Sequence, residues 1–216
     1  MAYLKRKENK KFAILKYIGL FLFMCGLFMF IYHHANTKLL EDKDNAKIET
    51  FFKEKIVDNN VENTEENSPK KTTTSNKVDY NYIGVLEIPS ISLKRGLVSP
   101  DSRYNNVNYN IQIIEHSTMP DVINGNLILA SHNGASYISF FKNLHKLNIN
   151  DMVYIYYQGY KYEYTLDNIY DTPKDGKVEI FRDPKKTALT LITCKKNTKD
   201  TQVVYVGYLT NKEQYS

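Results

Sequence analysis

The sequence predicts an all-β fold, an eight-stranded closed barrel or sandwich with one or two short helices, preceded by a transmembrane helix. Short alternating apolar segments recur between turn residues from Val78 to about Leu209, the pattern of a barrel or sandwich. Eighteen tyrosines and no tryptophan suit a β-rich fold with many half-buried rings. The membrane segment is predicted by Tyr17 to Tyr32, YIGLFLFMCGLFMFIY, which is uncharged throughout.

A chain of 216 residues allows one core plus appendages. The first appendage is a basic tail, 1–11. Six Lys/Arg against Glu8 in Met1 to Lys16 account for the whole formal charge of +5, so the remainder is neutral. The basic balance is therefore a property of the N-terminus and no sign of a nucleic-acid surface. The apolar run with its flanks, 12–35, is long enough to span the hydrocarbon core, and Lys16 can snorkel. Basic residues precede it, and Glu41, Asp42 and Asp44 follow, which predicts a single-pass anchor with a cytoplasmic N-terminus and an extracellular remainder. The rival, a cleaved signal peptide, is disfavoured by the length of the run and the missing A-x-A pattern.

Next come a juxtamembrane helix and flexible linker, 36–77. Leu40, Ile48, Phe51, Phe52 and Ile56 fall at roughly helical spacing, and a solvated helical spacer is the expectation. Asp58 to Lys77 has almost no apolar content and reads as linker. The distal domain, 78–212, holds the expected strands: Ile83 to Ile88, Ile91 to Val98, Val107 to Ile114, Asn126 to Ser131, Met152 to Tyr157, Tyr160 to Tyr170, Thr187 to Cys194 and Gln202 to Leu209. Tyr137, Phe140, Phe141, Leu144 and Leu147 lie at helical spacing and predict one core-facing helix between strands.

No phosphate-binding glycine loop, HExxH, paired CxxC or EF-hand pattern occurs, so the sequence asks for no cofactor and no metal. What it does offer is an unpaired thiol. Cys25 lies in the apolar run, which leaves Cys194 alone in the distal domain, at the end of the strand-like Leu189-Thr190-Leu191-Ile192-Thr193. A lone cysteine is ordinarily a small buried hydrophobe, but a base beside it makes it a nucleophile. Of the three distal histidines, His145 lies in the expected helix beside lysines and His116 in a turn, both suited to surface roles. His132 ends the apolar strand Asn126 to Ser131 just before Asn133-Gly134, so, like Cys194, it stands where a strand opens into a loop. Two strand mouths can meet above one end of a barrel.

Ile83-Gly84-Val85-Leu86-Glu87-Ile88-Pro89, then Leu129-Ala130-Ser131-His132-Asn133-Gly134, then Thr190-Leu191-Ile192-Thr193-Cys194 resemble the sortase family in motif, order and spacing, over roughly Tyr80 to Leu209. The resemblance implies a sortase-like barrel and a cysteine transpeptidase. Cys194 would attack a sorting-signal peptide of LPxTG type, carried by a surface protein or pilin, to give a thioacyl-enzyme. His132 would act as general acid, then general base, and the acceptor would be an amine such as that of a cell wall precursor. Sortases usually carry an arginine at the start of the strand after the cysteine, where it binds substrate and stabilises the oxyanion. No arginine follows Cys194 here, and alignment puts Gln202 at that position. A glutamine donates a hydrogen bond but brings no charge. Lys195, Lys196 and Lys199 in the intervening loop are expected as solvated lysines, with supply of the missing charge as the alternative. An inactive relative that grips sorting peptides or pilus subunits, and a hydrolytic thiol peptidase, are the rival functions.

Overall fold

The computed structural model describes residues 2–59 and 81–215, with side chains over 14–53 and 81–215. All but the first two residues of the expected linker Asp58 to Lys77 lie outside the described residues. The chain forms two compact units, Met1–Lys43 and Asp44–Ser216. The first belongs to helix α1 (Ala2–Asn59), whose apolar side chains from Ile14 to Tyr32 are exposed. Among the described residues α1 alone is long and apolar enough to cross a membrane, with a mean hydropathy of 2.2.

The second unit is built on eight strands: β1 (Tyr82–Ile88), β2 (Leu93–Val98), β3 (Gln112–Ile113), β4 (Asn126–Ala130), β5 (Met152–Tyr157), β6 (Tyr160–Pro173), β7 (Ala188–Cys194) and β8 (Thr201–Gln214). They form one sheet in the order β2-β1-β5-β6-β8-β7-β4-β3, curled into a nearly closed barrel. Every neighbouring pair is antiparallel except β4–β7. Across the seam between β2 and β3, the Asn110 amide donates to the Gly96 carbonyl at 2.9 Å.

Strand alternation sorts side chains to two faces. Leu86, Ile155, Tyr162, Tyr164, Leu166, Leu189, Leu191 and Tyr205 fill the interior. On the outer face of β7 and β8, Ile192, Val204 and Val206 are covered by Val178 and Ile180 of the β6–β7 loop. That second cover explains why β7 is buried on both faces from Ala188 to Thr193. Two tyrosines hold the covering loop. The Tyr170 hydroxyl donates to the Glu179 carbonyl and accepts from the Phe181 amide, both at 2.9 Å, and the Asp183 amide donates to the Tyr208 hydroxyl at 2.7 Å.

Three expectations are corrected. The stripe from Tyr137 to Leu147 does bury Phe141, Leu144 and Leu147, yet forms no α-helix. Its backbone bonds skip three residues, as in Lys142 N to Ser139 O at 3.2 Å and Leu147 N to Leu144 O at 2.9 Å, ending in a 3-10 turn over Leu144–Lys146. Residues three apart share a face in such turns, so the same apolar spacing serves a tighter geometry. The strand expected over Val107 to Ile114 shrinks to two residues. Asparagines upstream take backbone partners that a ladder would use: Asn105 donates to the Ile113 carbonyl at 2.8 Å and accepts from the Ile113 amide at 2.7 Å. Finally, the segment expected as a solvated spacer is docked over Asp44 to Phe52. Ile48 and Phe51 are buried against Val85, and Phe52 meets Tyr156 and Tyr215 edge to face at 5.0 and 5.5 Å.

Candidate active site

The site is assembled by the parallel pair β4–β7 and its antiparallel neighbour β8. The β4–β7 register runs from Asn126 opposite Ala188 to Ala130 opposite Ile192. Continued two residues past its last pair, it sets His132 beside Cys194. The chains stay tied beyond the ladder. Ser131 N donates to Ile192 O at 3.3 Å, Thr193 Oγ1 to Ser131 O at 2.8 Å, and Asn133 Nδ2 to Cys194 O at 2.9 Å. His132 and Cys194 consequently line one depression of about 320 Å³, whose remaining wall is Asn133 to Ser136, Ile138 and Ser139.

In β8, Gln202 is the register partner of Cys194. Opposite residues of an antiparallel pair share a face, so the Gln202 side chain flanks the thiol on the side away from His132. It is not part of the wall of the depression itself. All three sequence-predicted residues are half-exposed and thus reachable from solvent. Further along the same face Ile192, Val204 and Val206 are buried beneath the β6–β7 loop.

Lys195 does not join them. One residue beyond Cys194, it belongs to the opposite face, and its amine pairs with the Asp171 carboxylate. Lys196 and Lys199 are exposed in the β7–β8 loop, as are His116 and His145 at their own sites.

Two residues of the site were given no role by the sequence. Asn133 is the bridge to the Cys194 carbonyl. Asn108, from the β2–β3 connection, faces His132 Nε2 with its Oδ1 at 3.4 Å. Placement of Asn133 directly after His132 was the one available hint, since that loop must pass the Cys194 strand end. Nothing local pointed to Asn108.

A thiol, an imidazole and a neutral amide donor at one mouth of the barrel can perform acyl transfer through a thioester. The chain is similar to one group of known proteins. A family model described as the sortase domain matches residues 86–210. Sortase A of Bacillus anthracis is 31% identical over 124 residues, which is 57% of each chain, so the chain spans little more than half the length of that relative. Listeria monocytogenes sortase A superposes with a TM-score of 0.53 at 23% identity, over 62% of this chain and 91% of that one. Streptococcus pneumoniae sortase C gives 0.54 at 19%, over 60% and 69%. A Clostridium perfringens sortase D5 transpeptidase gives 0.51 at 22%, over 62% and 83%.

Proposed function

The chain belongs to the sortase family, and on that premise we propose that it is a membrane-anchored cysteine transpeptidase acting through Cys194. The observation that carries the proposal is the convergence of His132, Cys194 and Gln202 from three neighbouring strand ends. In this reading the Cys194 thiolate attacks the scissile backbone carbonyl of a sorting-signal peptide, LPxTG-like, and the carbonyl electrons move to oxygen. The Gln202 amide donates one hydrogen bond to that oxyanion. As the tetrahedral adduct collapses, the C–N bond breaks and His132 protonates the departing amine, leaving a thioester. The incoming amine of a cell wall precursor or pilin then attacks the thioester carbonyl. His132 takes its proton, and Cys194 leaves as thiolate. The β6–β7 loop, which covers Ile192, Val204 and Val206 on the face that carries the thiol, is in this reading one flank of the bound peptide.

The apolar run of α1 is compatible with membrane anchoring. The basic residues before it and the acidic ones after it support a cytoplasmic N-terminus and an extracellular barrel.

The test is incubation of the chain and its Cys194→Ala variant with a panel of sorting-signal peptides, followed by intact mass. A trapped thioester in the parent chain and none in the variant is expected, and an adduct that persists in Cys194→Ala sinks the mechanism. Gln202 in place of a charged donor favours one second reading, a sorting-peptide binder without turnover. Retained peptide binding with no adduct on any peptide would decide for it. A hydrolase would release free acid whether or not an amine is supplied.

A further inference from the structure

Arg95 of β2 links the docked part of α1 to both segments that hold His132. Its Nη1 lies 2.7 Å from Asp44 Oδ2, and both side chains are nearly buried, at 14% and 8% exposure. The same carboxylate accepts the Tyr82 hydroxyl, for which Gly96 makes room: a Cβ there would fall 2.2 Å from the Tyr82 ring. On its other side Arg95 donates from Nε to Asn110 Oδ1 at 2.9 Å, and its guanidinium lies 4.2 Å from the centre of the Phe140 ring.

The Asn110 and Phe140 contacts lead to the histidine. Asn110 is two residues from Asn108, which faces His132 Nε2. Phe140 directly precedes Phe141, whose amide donates to the His132 carbonyl at 3.2 Å, and follows Ser139 in the wall of the depression. A planar guanidinium with several fixed donors can hold a carboxylate, an amide oxygen and a ring face together, which a lysine ammonium cannot.

We propose that Arg95 is a positioning residue through which docking of Asp44 to Phe52 sets the orientation of His132. The inference rests on the reading of His132 as general acid and base. Arg95 itself lies outside the wall of the depression that holds the thiol. Loss of its contacts slows the proton-transfer step and leaves peptide binding unchanged.

The experiment uses the full chain in detergent micelles, in a Cys25→Ser background, with histidine labelled for NMR. Asp44→Asn, Arg95→Gln, Arg95→Lys and Phe140→Leu are compared with the parent. The ring signals of His116, exposed in the β3–β4 connection, serve as internal controls. Asp44→Asn and Arg95→Gln are expected to move the His132 signal while the controls stay, and to lower kcat for a sorting peptide about tenfold or more with KM within about twofold. Arg95→Lys, which keeps the charge opposite Asp44 but loses the fork, should recover only part of the parent rate. If Arg95→Gln fails to fold, the isosteric Asp44→Asn and the apolar Phe140→Leu still test the linkage from its two ends. Variants that fold, turn over like the parent and leave the His132 signal in place overturn the inference. Variants that raise KM and spare kcat overturn it too. A parent chain with no turnover on any peptide overturns the functional reading instead, and the NMR comparison still tests the linkage.

Discussion

At the scale of single residues, the reaction depends on what surrounds the thiol. Gln202 is the register partner of Cys194, and in the proposed role it is a neutral oxyanion donor. Gln202→Ala should slow thioacyl formation on the order of 100-fold, as loss of one such donor does elsewhere. Gln202→Arg should raise it above the parent by restoring charge and a bidentate fork. Stopped-flow or quenched mass spectrometry reads both, and an unchanged rate in Gln202→Ala removes this residue from the site. Asn133 ties the histidine loop to the Cys194 carbonyl at 2.9 Å. Asn133→Ala loses about 1 kcal/mol of hydrogen bonding, so kcat/KM should fall about fivefold, and Asn133→Gln should not restore it. Cys194 and His132 stood out because a strand end is a local pattern, whereas Gln202 was picked out only through the family resemblance. Asn133 and Asn108 were not legible, because each acts on a partner far away in sequence, 61 residues for Asn133 and 24 for Asn108.

Elements show where local pattern misleads. The apolar stripe over Phe141, Leu144 and Leu147 fits an α-helix as well as a run of turns, and the turns with their three-residue bonds are what formed. The segment around Ile48 and Phe51 was legible as an amphipathic helix, but its partner was not, since Val85, Tyr156 and Tyr215 come from three distant positions. Phe51→Ala should cost the docked segment about 3 kcal/mol, read as loss of amide-exchange protection over residues 44–53 with the barrel strands still protected. The β6–β7 loop depends on the Tyr170 hydroxyl, which makes two hydrogen bonds to it. Tyr170→Phe leaves two polar backbone groups without that partner, at about 1–3 kcal/mol. Faster proteolysis within Lys177 to Asp183 and a higher KM for a sorting peptide are expected, with kcat little changed.

The whole molecule carries a pH signature in its tyrosines. Burial pushes Tyr205 up to about 12 from the ordinary 10.0. Tyr156 is pushed up to about 12 as well, by burial and by the Glu87 carboxylate. A folded-state value above the unfolded one means that the neutral hydroxyl is favoured in the fold. The contribution is fully present below about pH 10 and is lost as pH rises through about 12. Thermal melts of the full chain should therefore hold a steady Tm from pH 7 to about 9 and fall from about pH 10 upward. A Tm unchanged at pH 11.5 would contradict the burial of these rings.

Composition, alternation and the apolar run determine by themselves a membrane-compatible helix followed by a β-rich domain with one thiol, because each is a property of neighbours along the chain. Tertiary structure alone decided the pairing of β4 with β7, the only parallel pair in an otherwise antiparallel sheet, and with it the meeting of His132 and Cys194. Parallel neighbours need a crossover, and the partner of a strand is chosen by burial of both faces over that distance, which no local spacing encodes. The same holds for Arg95, whose Asp44, Asn110 and Phe140 partners are neighbours only after the barrel has closed.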